Sequence, residues 1–239
     1  MIGLLRVIVV GIPATIWCSL VILWAAYRKS DKLPCRCEEI PRKWARIMLR
    51  AANVRVEVEN VERIVLDRPQ ILVVNHVSYF DVLALLGYLP GKYRFVGKSE
   101  LTRVPLFGPA WMACRHISID RKDTAKAMES LALARRRLEE DRPTVVLFPE
   151  GTRSATGELR AFKKGAFVLA IQTGTEVVPA AILGTREIMR KGSLAIHRGR
   201  TIRVRFGEPL SVAGLKMEDR DALTRRAHDA VAALQSIPV

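Results

Sequence analysis

Between Val7 and Tyr27 the chain reads VIVVGIPATIWCSLVILWAAY without one charged residue, and a run of this kind has few ways to fold. At about 1.5 Å per helical residue it covers roughly 30 Å, the thickness of a bilayer's hydrocarbon core. Trp24 and Tyr27 stand where an interfacial aromatic belt is expected, and Arg28, Lys29 and Lys32 follow, against Arg6 before the run. By the positive-inside tendency the C-terminal bulk is cytoplasmic, which points to the inner membrane. A cleaved signal peptide would have a shorter apolar region and a small-residue cleavage site; here Ala25-Ala26-Tyr27 leads straight into basic residues. A helix lying in one leaflet, kinked at Pro13, stays open beside a full span.

The next segment, Pro41 to Ala52, puts Trp44, Ile47, Met48 and Ala51 at helical spacing, with Arg42, Lys43, Arg46 and Arg50 largely elsewhere. That is the pattern of a basic amphipathic helix on anionic lipid. A surface helix packing on its own domain shares the pattern, and the preceding anchor tips the expectation towards lipid. Residues 1–52 are thus expected to form a membrane-associated helical segment and 53–239 one domain.

Past residue 53 strands and helices alternate. Val54–Val58, Ile71–Val74, Arg94–Val96, Thr144–Phe148, Val177–Leu183 and Thr201–Phe206 read as strands; Val82–Leu89, Asp123–Glu140, Gly165–Gln172 and Asp219–Leu234 read as helices. Such alternation predicts an α/β fold with a mixed, largely parallel sheet flanked by helices. The 39 Lys+Arg against 24 Asp+Glu imply an anionic partner: nucleic acid, anionic lipid or a phosphorylated substrate. No aromatic-studded nucleic-acid motif is present, so no nucleic-acid partner is expected. Cys18, Cys35, Cys37 and Cys114 suggest neither a disulfide framework nor a metal knuckle, which fits a reducing compartment.

The first buried strand runs into Asn75-His76-Val77-Ser78-Tyr79-Phe80-Asp81. On one unbroken helix, residues five apart point about 140° from each other, and the His76 and Asp81 side chains could not meet. They meet if His76 is on the loop and Asp81 is in the first turn of a helix capped by Ser78. An Asp bonded to one imidazole nitrogen leaves the other free as a base. The pair could activate a hydroxyl, serve a nucleophile or ligate a metal; no Gly-x-Ser-x-Gly elbow and no second nearby His favour the last two. The second central strand ends in Phe148-Pro149-Glu150-Gly151-Thr152-Arg153-Ser154, with Gly151 for a tight turn and Arg153 suited to a phosphate. Glu150 could order Arg153 or bond an acceptor hydroxyl, and Lys98 ends another strand as a further phosphate contact.

The order Asn-His-x4-Asp, Lys98-x2-Leu101 with Pro105-x2-Gly108, Phe-Pro-Glu-Gly-Thr-Arg-Ser and Val-Val-Pro-Ala resembles the glycerophospholipid acyltransferase family, in its bacterial 1-acylglycerol-3-phosphate branch. The resemblance implies an acyltransferase domain with His76 as general base and Asp81 as its orienting partner. It implies acceptor binding by Glu150, Gly151, Thr152 and Arg153, with Lys98 and Arg121 assisting. It further implies an acyl-CoA or acyl carrier protein donor, membrane phospholipid and lysophospholipid as partners, and neither metal nor cofactor. A hydrolase using the same dyad on water, or a non-catalytic basic membrane protein, would be the rival readings.

Overall fold

Two short strands built almost wholly from apolar residues, β2 (Gln70–Val74) and β5 (Thr144–Leu147), pair in parallel near the centre of a seven-stranded sheet. The computed structural model describes residues 2–66, 68–120 and 123–238, with the side chains of residues 2, 3, 35 and 124–127 outside that description. In spatial order the sheet runs β1 (Val54–Glu59), β7 (Arg200–Phe206), β6 (Val177–Leu183), β2, β5, β3 (Tyr93–Lys98) and β4 (Ile117–Ile119). From β6 to β4 all pairs are parallel; β7 runs against β6, and β1 follows β7. This is the mixed, largely parallel sheet the alternation predicts.

Successive strand side chains point to opposite faces, so both faces of the central strands are apolar and both are covered. Leu72, Val74, Val146 and Val178 join a core with α2 (Leu33–Ala51) and α3 (Tyr79–Tyr88). Ile71, Val73, Val145 and Leu147 join a second with α5 (Thr124–Asp141), α6 (Gly165–Thr173) and α8 (Arg220–Ser236).

The N-terminal run is one helix, α1 (Ile2–Tyr27), which passes through Pro13. Among the described residues it is the one helix long and apolar enough to cross a membrane. It packs along α2 and along α4 (Phe107–Ala113), burying Cys18, Ile22 and Ala25, while Leu5, Val9, Ile12, Leu20 and Trp24 stay exposed. An apolar face of that length is an interaction surface, and its composition suits lipid.

Helix α2 departs from expectation in two ways. It starts at Leu33, with Pro34 in its first turn where a missing N–H costs nothing, and continues through Pro41. Much of its apolar side packs on protein: Ala45 and Leu49 are buried in the core shared with α3, Met48 lies against Gly11 of α1, and Trp44 donates its indole N–H to Thr15 Oγ1 at 2.9 Å. Two of its arginines serve the fold as well. Arg42 donates to the carbonyls of Leu89 and Gly91, and Arg46 donates to that of Gly87, so both cations sit at the carbonyl end of α3, where the helix dipole favours them.

The expected absence of a disulfide is overturned: Cys37 of α2 is bonded to Cys114, which caps α4. The two lie 77 residues apart, and only the packing of α2 and α4 against α1 brings them together, so their spacing carried no signal. Strand β4, helix α4 and the four-residue helix α7 (Thr185–Ile188) are likewise elements that periodicity did not reveal; each is too short to show a period.

Candidate active site

Strands β2 and β5 are in register from Gln70↔Thr144 to Val73↔Leu147, so the segments that follow them emerge side by side at one sheet edge. In open α/β sheets, ligands bind at this carboxyl edge. The two segments are tied directly: Ser154 N–H donates to His76 O at 2.7 Å, and His76 N–H donates to Glu150 Oε1 at 2.6 Å.

His76 lies on the loop and Asp81 in the first turn of α3, the arrangement their spacing requires. Ser78, with extended backbone, caps the helix. Asp81 is wholly buried, and its Oδ2 receives His76 Nδ1 and the N–H groups of Val77 and Ser78, each at 2.8 Å. Its Oδ1 receives the hydroxyl of Thr185 at 2.5 Å. Donors on both oxygens hold the carboxylate in one orientation, and that orientation puts the His76 proton on Nδ1. Nε2 has no protein hydrogen-bond partner among the described residues. The ring stacks on Phe148, centroids 4.1 Å apart.

Glu150 is also buried, and its carboxylate is engaged by backbone: Oε1 by His76 N–H and Oε2 by Arg160 N–H at 3.2 Å. It ties two loops together, with its carboxylate turned to their backbone rather than to Arg153. Burial pushes its carboxyl up to about 6, against the lowering effect of those two hydrogen bonds. Gly151 turns the loop with φ +75°, a backbone conformation that favours glycine; the Lys163 side chain lies beside it. Thr152 is half-buried.

Arg153 lays its guanidinium over the ring of Tyr79, 3.8 Å from the centroid, and its carbonyl accepts from Lys191 Nζ at 2.8 Å. Lys98 is exposed at the end of β3, the strand beyond β5. Arg121 lies outside the described residues. Beside this edge a cavity of ≈ 280 Å³ is lined by Val96, Ile119, Leu147, Phe148, Gly151 and Lys163 among others, so the Phe148 ring borders both the cavity and the His76 ring. Pro179 is buried within β6, paired with Val73. Among the described residues no group of three His, Cys, Asp or Glu is gathered as a metal set.

Two contributors were not legible beforehand. Asn75 exchanges a pair of hydrogen bonds with the backbone of Ile182, at 2.9 and 2.7 Å, and Thr185 holds Asp81. Asn75 stood next to His76 in the motif, yet nothing in its neighbourhood named Ile182.

A family profile described as Acyltransferase matches residues 55–183, which contain every one of these loops but the Thr185 turn. The chain belongs to the acyltransferase family. Among curated proteins, "1-acyl-sn-glycerol-3-phosphate acyltransferase LPAT1, chloroplastic" of Arabidopsis thaliana is 32% identical over 87% of this chain and 58% of its own length. The protein named 1-acyl-sn-glycerol-3-phosphate acyltransferase of Cocos nucifera is 35% identical over 59% of this chain and 45% of its own. The alpha form of Bos taurus is 33% identical over 73% and 60%. This acyltransferase chain therefore spans about half the length of the curated relatives it matches. The crystal structure of PlsC from Thermotoga maritima, titled a 1-acyl-sn-glycerophosphate acyltransferase, superposes with a TM-score of 0.82 at 24% identity, covering 99% of this chain and 96% of that one. At that identity the likeness speaks to the fold.

Proposed function

We propose that this acyltransferase moves a fatty acyl group from an acyl thioester, acyl-CoA or acyl carrier protein, to the sn-2 hydroxyl of 1-acylglycerol-3-phosphate, yielding phosphatidic acid without metal or cofactor. The observation that carries the reading is His76, with Nδ1 held by buried Asp81 and Nε2 open, beside the loop that bears Arg153. Nε2 takes the proton of the acceptor hydroxyl as that oxygen attacks the thioester carbonyl carbon. The tetrahedral intermediate then collapses, the C–S bond breaks, and the departing thiolate receives the proton from the imidazolium. Asp81 steadies the imidazolium in between.

Arg153 and Lys98 hold the acceptor phosphate, with the turn at Gly151 and Thr152 between them and Arg121 as a further cation from the motif set. The motif order and the printed names of the relatives support this acceptor. The apolar cavity bordered by Phe148 takes acyl chain. The exposed face of α1 enters the bilayer that supplies lysophospholipid and receives the product. Because α1 lies along α2 and α4 rather than projecting from the domain, insertion into one leaflet fits it better than a span. The basic residues after the run support a cytoplasmic-side domain on the inner membrane, although the Cys37–Cys114 bond removes the cysteine argument for that side.

The test is acyl transfer by detergent-purified protein, with both donors and a panel of lysolipids, beside His76→Ala. Phosphatidic acid formed from 1-acylglycerol-3-phosphate, and lost in the variant, is expected. Product only from another lysophospholipid or lyso-ornithine lipid would keep the chemistry and change the acceptor. Release of free fatty acid without acceptor would point to a hydrolase, and inertness with every donor to a binding protein.

A further inference from the structure

The dyad is completed by a residue outside the motifs. Strand β6 runs parallel to β2 and ends at Gly184, where φ is +85° and a Cβ would meet the carbonyl oxygen of Thr201 at 2.2 Å. Only glycine fits such a turn. It delivers Thr185, as the first residue of α7, to the buried side of Asp81. Thr185 is itself wholly buried. Its hydroxyl donates to Asp81 Oδ1 at 2.5 Å across 104 residues of chain.

The other hydrogen bonds to this carboxylate, from His76, Val77 and Ser78, all end on Oδ2. Thr185 is thus the one described donor to Oδ1. The terminal torsion of an Asp side chain is broad and roughly two-fold, so bonds to a single oxygen leave the carboxylate free to roll about it. A donor on the second oxygen removes that freedom. Two further ties keep the Thr185 segment in place from either side: the paired bonds between Asn75 and Ile182, and the Ser78 hydroxyl on the carbonyl of Met189 at 2.8 Å.

We infer that Thr185 is a positioning residue for acyl transfer, acting through Asp81 to hold the His76 imidazole in its working orientation. The inference rests on the reading of His76 as the base. Thr185→Val keeps the shape and removes the donor; Thr185→Ser keeps the donor and removes the methyl. The expected result is a fall in kcat for Thr185→Val of about ten- to a hundredfold, the cost of one hydrogen bond to a charged group. The KM for acceptor and donor should stay within about twofold, and Thr185→Ser should keep kcat within about threefold of the unaltered protein. If Thr185→Val does not fold, Thr185→Ala against Thr185→Ser isolates the hydroxyl. A Thr185→Val kcat within threefold of the unaltered protein would overturn the inference, as would an equal loss in Thr185→Ser and Thr185→Val, since packing would then be the cause. Either result, with His76→Ala inactive, leaves the base assignment standing. An unaltered protein inactive on every lysolipid would overturn both.

Discussion

At the β2 end of the site, Asp81 is wholly buried and takes hydrogen bonds from His76, Val77, Ser78 and Thr185; at the β5 and β3 end, Arg153 rests on the face of Tyr79 and Lys98 is exposed. Every oxygen of the first group is committed before substrate arrives, whereas the cations of the second keep their donors for a ligand. Under the proposed function, the difference follows from what each end must do. A base has to meet a proton at hydrogen-bond distance in the transition state, where small misplacement is costly. A phosphate is gripped equally before and during the reaction, so its holders can adapt. Changes at the first end should therefore lower kcat, and changes at the second should raise KM.

The largest effect belongs to His76→Ala, which should cost about 10²–10⁴ in kcat while acceptor binding, read by titration with lysophosphatidic acid, stays near that of the unaltered protein. Residual turnover above a few per cent would dissolve the contrast between the two ends. Glu150→Gln comes next. An amide has one acceptor oxygen, so either His76 N–H or Arg160 N–H faces an NH2 group. One unmet buried N–H costs about 1–3 kcal/mol, equivalent to about 5- to 150-fold if it falls on the transition state.

The same residue predicts a pH dependence. The Glu150 carboxyl is pushed up to about 6, and it accepts from both N–H groups only when ionised. Turnover needs Glu150 ionised, so kcat/KM should carry a fall as pH drops through about 6 that Glu150→Gln lacks. For stability the sign is opposite. A carboxyl raised from 4.5 to about 6 on folding contributes stability below pH 4.5 that is lost, to about 2 kcal/mol, as pH rises through 6. The same fall through pH 6 in both proteins would remove Glu150 from the acid limb.

Arg153→Ala tests the adaptable end. Loss of one bidentate phosphate contact should raise the acceptor KM by about tenfold or more, near 1.4 kcal/mol, with kcat within about twofold. Normal saturation by lysophosphatidic acid would put the phosphate elsewhere, and a fall in kcat alone would mean that Arg153 belongs with the base.

What could be read in the sequence and what could not divide by distance along the chain. His76 and Asp81 were legible because five residues, a capping Ser78 and a strand exit allow one geometry in which they touch. The central strands were legible because Ile71–Val74 and Thr144–Phe148 are short apolar runs, consistent with strands buried on both faces. Thr185 was not, since a threonine after a strand has no mark that it will donate to a carboxylate 104 residues earlier. Glu150 shows a related limit: three residues before Arg153, it suggested ordering that Arg or bonding an acceptor hydroxyl, and no local signal showed that the β5 exit turns its carboxylate back to the His76 and Arg160 backbones. The α2 stripe was ambiguous in principle, because a helix packing on α1 and α3 and one resting on lipid share a periodicity.

The smallest effect on turnover is expected far from the sheet edge, at the Cys37–Cys114 bond. It joins α2 to α4 across 77 residues, and closing a loop of that length in the unfolded chain should stabilise the fold by about 2–4 kcal/mol. Cys37→Ser should accordingly lower the thermal midpoint in detergent by roughly 5–15 °C, and a thiol reductant should bring the unaltered protein to the same value. Turnover at low temperature should stay within about twofold, because α2 keeps its other holds: Ala45 and Leu49 in the core, and Arg42 and Arg46 on the carbonyls at the end of α3. That helix carries Asp81 in its first turn. If Cys37→Ser instead lost activity together with its midpoint, and reductant did the same to the unaltered protein, the tie between α2 and α4 would count among the supports of the dyad, and the rigid end of the site would extend as far as the N-terminal helices.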